Sequence, residues 1–387
     1  MSELPEKYRD LLTFVRELYG AEGFIPLHEP RFWGNEKRYL IDCIDSTFVS
    51  SVGEYVNRFE AVMQEVTGAR YAVATANGTL ALHMSLILAG VKDGDEVITQ
   101  PLSFVATCNA IAYQRAHPVF VDVDRDTLSL SPTALLDFLK GHAEKRGGVC
   151  INRDTGRKII AALPMHTFGF PGRIEVIAEI CEDWGLTLVE DAAESIGATV
   201  GNRHTGTFGK IGAFSFNGNK TVTSGGGGCI VTNDDVLGPL AKHLTTTAKT
   251  PHSWDFDHDQ VGYNYRLPNL NAALACAQLE QLPAFLENKR ETASRYRRFC
   301  VERGIRFFDG LQGRNANYWL NAIVTESRGE RDQLLAISNA SQVMTRPVWK
   351  LLHRLPAFAD AQRGSLENAE WLEDRVVNLP SSVRLSP

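Results

Sequence analysis

From about residue 70 the apolar and polar positions fall into a repeating rhythm: YAVATAN, GTLALHMSLILAG, DEVITQP, FVATCNAIAYQRA, PVFVDVD, SPTALLDFLKGHAEK, KIIAALPMH, IEVIAEICEDWG and LTLVEDAA. Short apolar runs alternate with helical segments of roughly 10 to 15 residues, including SPTALLDFLKGHAEK, which predicts a mostly parallel sheet covered on both faces. Ligands of such sheets collect outside the carboxyl ends of the strands, where this chain sets Asn77, Gln100, His166 and Asp191. The rhythm loosens through TTTAKTPHSWDFDHDQVGYNYRLPN, a connection too long to be a turn and therefore functional or interfacial. A long helical run from Leu270 then leads into short strands such as NYWLNAIV. We read an N-terminal helix and a large α/β domain over 1–250, and an interface loop with a smaller α+β domain over 251–387. The amphipathic N-terminal helix is expected to pack on the smaller domain.

Composition narrows the class. At 387 residues the chain exceeds a usual single core, and 44% hydrophobic with 22% charged residues excludes global disorder. A net charge of -6 leaves no basic footprint for nucleic acid, and no apolar run reaches the ~18 residues of a membrane span. Seven scattered cysteines without a C-x-x-C pair fit reduced core thiols, hence a cytoplasmic protein with neither disulfides nor a metal site.

The stretch FSFNGNKTVTSGGGG sets one lysine, Lys220, between an alternating apolar run and four glycines, where a strand gives way to a tight loop. A lysine held at a sheet's ligand edge can form a Schiff base with a carbonyl, and pyridoxal 5'-phosphate is the obvious partner. That cofactor makes further demands. Its ring nitrogen wants a carboxylate, and Asp191 ends the apolar run LTLVED. Its phosphate wants a helix N-terminus, which Gly78 and Thr79 open in ATANGTLALHM, with the hydroxyl of Ser215 in reach. Phe104 in QPLSFVATCNA could cover the ring. Each feature alone also fits a cap, a turn, a strand serine or core packing; one ligand satisfies them together.

FVATCNAI, PVFVDVDRDTLSLSP, LVEDAAESIGA, FSFNGNKTVTSGGGG and GYNYRLPNLNAALACAQLEQL, in this order, resemble the sugar-nucleotide aminotransferases of the DegT/DnrJ/EryC1/StrS family. The resemblance implies a fold-type I pyridoxal-phosphate enzyme, aspartate aminotransferase-like, working as a homodimer with shared active sites. Lys220 becomes the cofactor-bearing lysine and general base, and Asp191 the pyridinium partner. Gly78, Thr79 and Ser215 become phosphate ligands, Phe104 the stacking ring and Glu194 a neighbour of the phenolic oxygen. Relatives often carry His or Gln in place of Glu194. Asn264 and Arg266 would reach cofactor and substrate from the other subunit.

Within the family, FIPLHEPRFWGNEKRYLIDCIDSTFVSSVGEYVNRFE and RPVWKLLH look similar to the legionaminic-acid pathway C4 aminotransferases. That likeness implies a nucleotide-linked 4-keto-6-deoxy sugar, with a 2-acetamido group, as acceptor. Glutamate would be the donor, and the cofactor would pass through pyridoxamine phosphate. Trp33, Arg346 and His353 are candidate nucleotide-sugar contacts, though as surface side chains they fit no role equally well. Two rivals are a sugar 3-dehydratase on the same fold, whose members replace the lysine with histidine, and a non-catalytic pyridoxal-phosphate-binding regulatory protein.

Overall fold

The computed structural model describes residues 4–385. Seven strands form the large sheet: β1 (Tyr71–Thr75), β2 (Glu96–Thr99), β3 (His117–Phe120), β4 (Ile159–Leu163), β5 (Thr187–Asp191), β6 (Ile211–Ser215) and β7 (Gly228–Thr232). They lie in the order β1-β7-β6-β5-β4-β2-β3. Only β7 runs antiparallel, pairing Tyr71 with Thr232 on one side and Gly212 with Val231 on the other. The carboxyl ends of the other six strands therefore share one edge.

Period-two alternation decides which helices cover which face. Val73, Val97, Ala161, Val189 and Ile211 pack with the helices Gly78–Leu88 and Val105–Tyr113. On the opposite face Ala72, Ala74 and Phe214 meet the helices Glu54–Thr67 and Asn269–Leu279, while Ile98, Ala162 and Leu188 meet Pro132–His142 and Ile174–Trp184. Both faces are thus buried, as the near-continuous apolar strands require.

Arg306–Phe307, Asn321–Val324, Val376–Leu379 and Arg346–Pro347 form a second, antiparallel sheet in that order. The helix Glu6–Tyr19 buries Tyr8, Leu11, Leu12 and Val15 against Tyr296, Ile323, Leu334 and Val377.

Two segments depart from their sequence pattern. AEK does not continue its helix: the helix stops at His142, and Ala143–Arg146 pairs with Val149–Asn152. Gly147 and Gly148, both at positive φ (59° and 82°), make the two-residue hairpin turn that this pairing needs. The run from Leu270 divides into Asn269–Leu279 and Leu282–Glu302, because Pro283 is tolerated only in the first turn of a new helix.

Candidate active site

Strand β6 ends at Ser215, and the chain then turns on itself before β7 begins. Phe216 and Gly227 join N–H to carbonyl at 2.8 Å, and the N–H of Lys220 donates to the Asn217 carbonyl at 3.0 Å. Gly225 takes φ 76° in this turn, which an L side chain resists. At Gly228 a Cβ would stand 2.4 Å from the Asn77 carbonyl oxygen, so the glycine lets β7 press against the start of the helix Gly78–Leu88. The indole N–H of Trp319 donates to the Asn219 carbonyl at 2.7 Å and pins the loop from the other side. The glycines and these bonds hold Lys220 in a narrow place, its side chain only 12% exposed.

The amine donates to Glu194 Oε1 at 3.1 Å and lies 4.1 Å from the centre of the Trp319 ring. Glu194 is itself buried and its other oxygen accepts the Phe168 N–H at 2.9 Å. Burial pushes its carboxyl up to about 7, against the pull of Lys220 and the Phe168 N–H. Asp191, at the end of β5, is 2% exposed; it accepts from the Thr107 hydroxyl at 2.7 Å and the Ala193 N–H at 3.2 Å. Burial raises this carboxyl too, and those two bonds, with Lys220 and His166, oppose it.

Asn77 caps the helix Gly78–Leu88 by accepting the Leu80 N–H at 3.0 Å. The N–H groups of the first turn have no acceptor inside a helix and point outward. Gly78 sits so close to β6 that a Cβ there would lie 2.7 Å from the Ser215 Cβ. Gly78, Thr79, Phe104, Asp191, Glu194, Ser215 and Lys220 all line one cavity of about 300 Å³ at the carboxyl edge of the sheet. An amine, a buried carboxyl and a helix start with a bare glycine and an adjacent hydroxyl are the donor set that an anionic, aldehyde-bearing pyridine ring requires. The residues fit pyridoxal phosphate.

The remaining sequence candidates lie elsewhere. Asn264 is exposed and accepts the Arg266 Nε–H at 2.9 Å; neither lines the cavity, although the Tyr265 carbonyl between them accepts the Ala76 N–H at 2.8 Å beside it. Trp33 is 52% exposed and meets Phe285 edge-on. Arg346 lines an adjoining cavity, where its guanidinium also donates to Asn339 Oδ1 at 2.8 Å. His353 is 9% exposed and packs against Phe120, outside both cavities. Two of the polar strand ends turn inward: Gln100 donates to the Leu102 and Leu128 carbonyls, and His166 donates to Glu190 at 2.9 Å.

Sequence reasoning missed three residues of the site. Thr107 holds Asp191 from one helical turn beyond Phe104, a spacing present in SFVAT. Trp319 and Trp349 line the cavity from the C-terminal part of the chain, in NYWLN and RPVWK, which no local pattern connects to Lys220.

The model of the DegT/DnrJ/EryC1/StrS aminotransferase family matches residues 32–387. Among curated proteins, GDP-perosamine synthase of Escherichia coli O157:H7 is 36% identical over 364 residues, which cover 94% of each chain. Among solved structures, the aminotransferase TlmJ from Streptoalloteichus hindustanus is similar with a TM-score of 0.84 at 28% identity, covering 93% of this chain and 94% of that one. DesI, whose structure was determined in the presence of its TDP-sugar product, is similar with a TM-score of 0.80 at 25% identity, over 95% and 91% of the two chains. The match spans nearly the whole chain and meets a cavity fit for the cofactor: the protein belongs to the DegT/DnrJ/EryC1/StrS aminotransferase family, a family of pyridoxal-phosphate-dependent enzymes.

Proposed function

We propose that the chain moves an amino group from glutamate to the 4-keto carbon of a nucleotide-linked 4-keto-6-deoxy sugar bearing a 2-acetamido group, for amino-sugar or nonulosonic acid biosynthesis. The observation that carries this reading is the meeting of Lys220, Glu194, Asp191 and the Gly78 helix start in one cavity.

When bound, pyridoxal phosphate supplies an aldehyde for imine formation and an electron sink for the carbanion that follows proton loss. Asp191, oriented by Thr107, would hold the ring nitrogen, and a carboxylate there keeps that nitrogen protonated. Gly78, Thr79 and Ser215 would hold the phosphate through backbone N–H groups and a hydroxyl. Phe104 and the two tryptophans cover the site with apolar surface. Lys220 would hold the cofactor, and its amine, when free, would take the proton from the donor's α-carbon and deliver one to the sugar's C4. A proton shuttle of this kind contributes roughly 10²–10⁴ in rate. Glu194, 3.1 Å from the amine, holds it in place and can accept a proton at neutral pH.

A second copy of the chain would complete each site, with Arg266 holding the donor's carboxylate and Asn264 reaching the cofactor. Support comes from the exposure of Trp254 (80%), Phe256 (76%) and Val261 (82%) in the same connection, an apolar surface that a monomer leaves bare. Arg346 and Lys350, in the adjoining cavity, would face the nucleotide's phosphates. Seven buried, unpaired thiols support a reducing, cytoplasmic setting, and no helix among the described residues is long and apolar enough to cross a membrane.

The related GDP-perosamine synthase is named for a GDP-linked sugar, whereas the likeness to legionaminic-acid enzymes points to a 2-acetamido sugar. The test uses both: the enzyme is incubated with 15N-glutamate and UDP- and GDP-linked 4-keto-6-deoxy sugars carrying a 2-hydroxyl or a 2-acetamido group. The proposal expects 15N at C4 of one product. Loss of the 3-hydroxyl without amination would instead establish the dehydratase, which the presence of a lysine at 220 argues against.

A further inference from the structure

Beside the cofactor cavity lies a second one, of about 500 Å³, which shares Asn219, Trp319 and Trp349 with it. His28 lines this second cavity from the N-terminal side. Its backbone is fixed from both flanks: the Ser381 N–H donates to the Leu27 carbonyl at 2.7 Å, and the Glu29 N–H donates to Ser382 Oγ at 2.9 Å. No hydrogen bond among the described residues holds the ring. Both of its nitrogens are shielded from solvent and have no hydrogen-bond partner among the described residues. Asn378 Oδ1, in the same cavity, is likewise buried and unpartnered.

Three unmet polar atoms around one cavity are costly, since each buried group without a partner forfeits its hydration. His28 as a whole is partly exposed, and rotation about χ2 of histidine is soft, so a modest turn of the ring presents a nitrogen to the cavity. Burial and the nearby charges of Lys289, Lys220 and Arg31 push the imidazole well below its usual range, so it stays neutral. A neutral imidazole offers one N–H and one lone pair, and Asn378 Oδ1 accepts. A sugar's hydroxyl or acylamino group supplies the matching acceptor and donor.

We propose that His28, with Asn378, is a specificity-determining contact that reads an uncharged hydroxyl or acylamino substituent on the acceptor sugar's ring. This rests on the sugar-nucleotide reading above and goes beyond it by assigning the residues that tell one sugar from another.

The experiment compares wild type, His28→Ala and His28→Gln, all loaded with cofactor, against the 2-hydroxyl and 2-acetamido sugars in both nucleotide forms and against free UDP and GDP. For His28→Ala the expected result is a KM for the accepted sugar raised about 10-fold or more, as one unmet polar group costs. The preference between the two sugars should shrink to within about 3-fold, with partial recovery in His28→Gln. The glutamate half-reaction and the affinity for the free nucleotide should stay at wild-type values. If KM and preference are unchanged, or if sugar and free nucleotide weaken equally, the proposal is overturned while the sugar aminotransferase reading survives. If wild type aminates none of the sugars, the broader reading falls by itself. Should His28→Ala fail to fold, 15N signals of the wild-type imidazole decide: they should move with the sugar nucleotide and not with the free nucleotide, and signals that move with neither overturn the contact.

Discussion

Replacing Gly78 by alanine tests the proposed phosphate cradle apart from the rest of the site. The backbone at Gly78 is not left-handed, so conformational freedom does not explain the glycine, and inside a helix alanine would be favoured by ~1 kcal/mol. Space explains it: the new methyl would stand 2.7 Å from the Ser215 Cβ, 3.0 Å from its Oγ and 3.3 Å from its Cα. Carbon atoms in contact need about 3.5–4.0 Å, so something must move by the order of 1 Å. Ser215 cannot retreat freely, because its strand pairs it with Gly228 on β7. The helix start therefore moves, and at least one N–H or the hydroxyl loses its aim at the phosphate. A hydrogen bond to a charged group contributes about 1.5–3 kcal/mol, which corresponds to roughly a 10- to 100-fold weaker Kd for pyridoxal phosphate. The assay strips the cofactor and titrates it back, following absorbance. Ser215→Gly removes the obstructing Cβ, so adding Gly78→Ala in that background should cost less than about 3-fold, a coupling that only contact produces. An affinity for Gly78→Ala within 2-fold of wild type, or an equal cost in both backgrounds, refutes the reasoning.

Asp191→Asn should keep the fold and bind cofactor yet lose about 100-fold or more in turnover, since an amide does not hold the ring nitrogen protonated; near-normal turnover with cofactor bound would make Asp191 a turn residue. Glu194, raised to about 7 in the folded protein from an ordinary 4.5, binds its proton more tightly folded than unfolded, so stability is full below about pH 4.5 and declines as pH rises through 7. Cofactor-free wild type should lose up to about 3 kcal/mol over that window relative to Glu194→Gln, and parallel pH-melting curves would contradict this. If two copies share their sites as proposed, Lys220→Ala and Arg266→Ala, each inactive alone, should regain activity on mixing, with one intact site in each mixed dimer; verified mixed dimers without activity would remove Arg266 from a shared site.

Local chemistry made half of the site legible. Strand ends, a helix opening and a glycine-flanked lysine are short-range patterns, and Gly78, Thr79, Phe104, Asp191, Ser215 and Lys220 meet in one cavity; Glu194, which joins them there, was reached through the family resemblance alone. What the sequence conceals is contact across distance. Trp319 comes from 100 residues beyond Asn219, whose carbonyl accepts its indole N–H, and lies against the Lys220 amine. His166 reads like Asp191 from the pattern, yet Glu190 one strand over draws its ring inward. The fold's rhythm was legible for the same reason the site was, because period two and period 3.6 are local; the hairpin at Ala143–Arg146 was not, because it depends on a partner strand.

Lys220 is not the only lysine withdrawn from solvent, for a second one is buried as well. Lys289 is 1% exposed, burial brings its amine down to about 7, and it too stands near Trp319, donating to that residue's carbonyl at 3.3 Å. On desolvation alone Lys289 would be the better nucleophile. Geometry decides otherwise: Lys289 is tied to the Trp319 and Ser381 carbonyls outside the cavity, whereas Lys220 lines it with Asp191 and the helix start. Borohydride reduction of the holoenzyme followed by peptide mapping fixes the cofactor on whichever amine carries it. The pyridoxyl label is expected on the peptide containing Lys220; a label on Lys289, or on any other lysine, would overturn the assignment of Lys220.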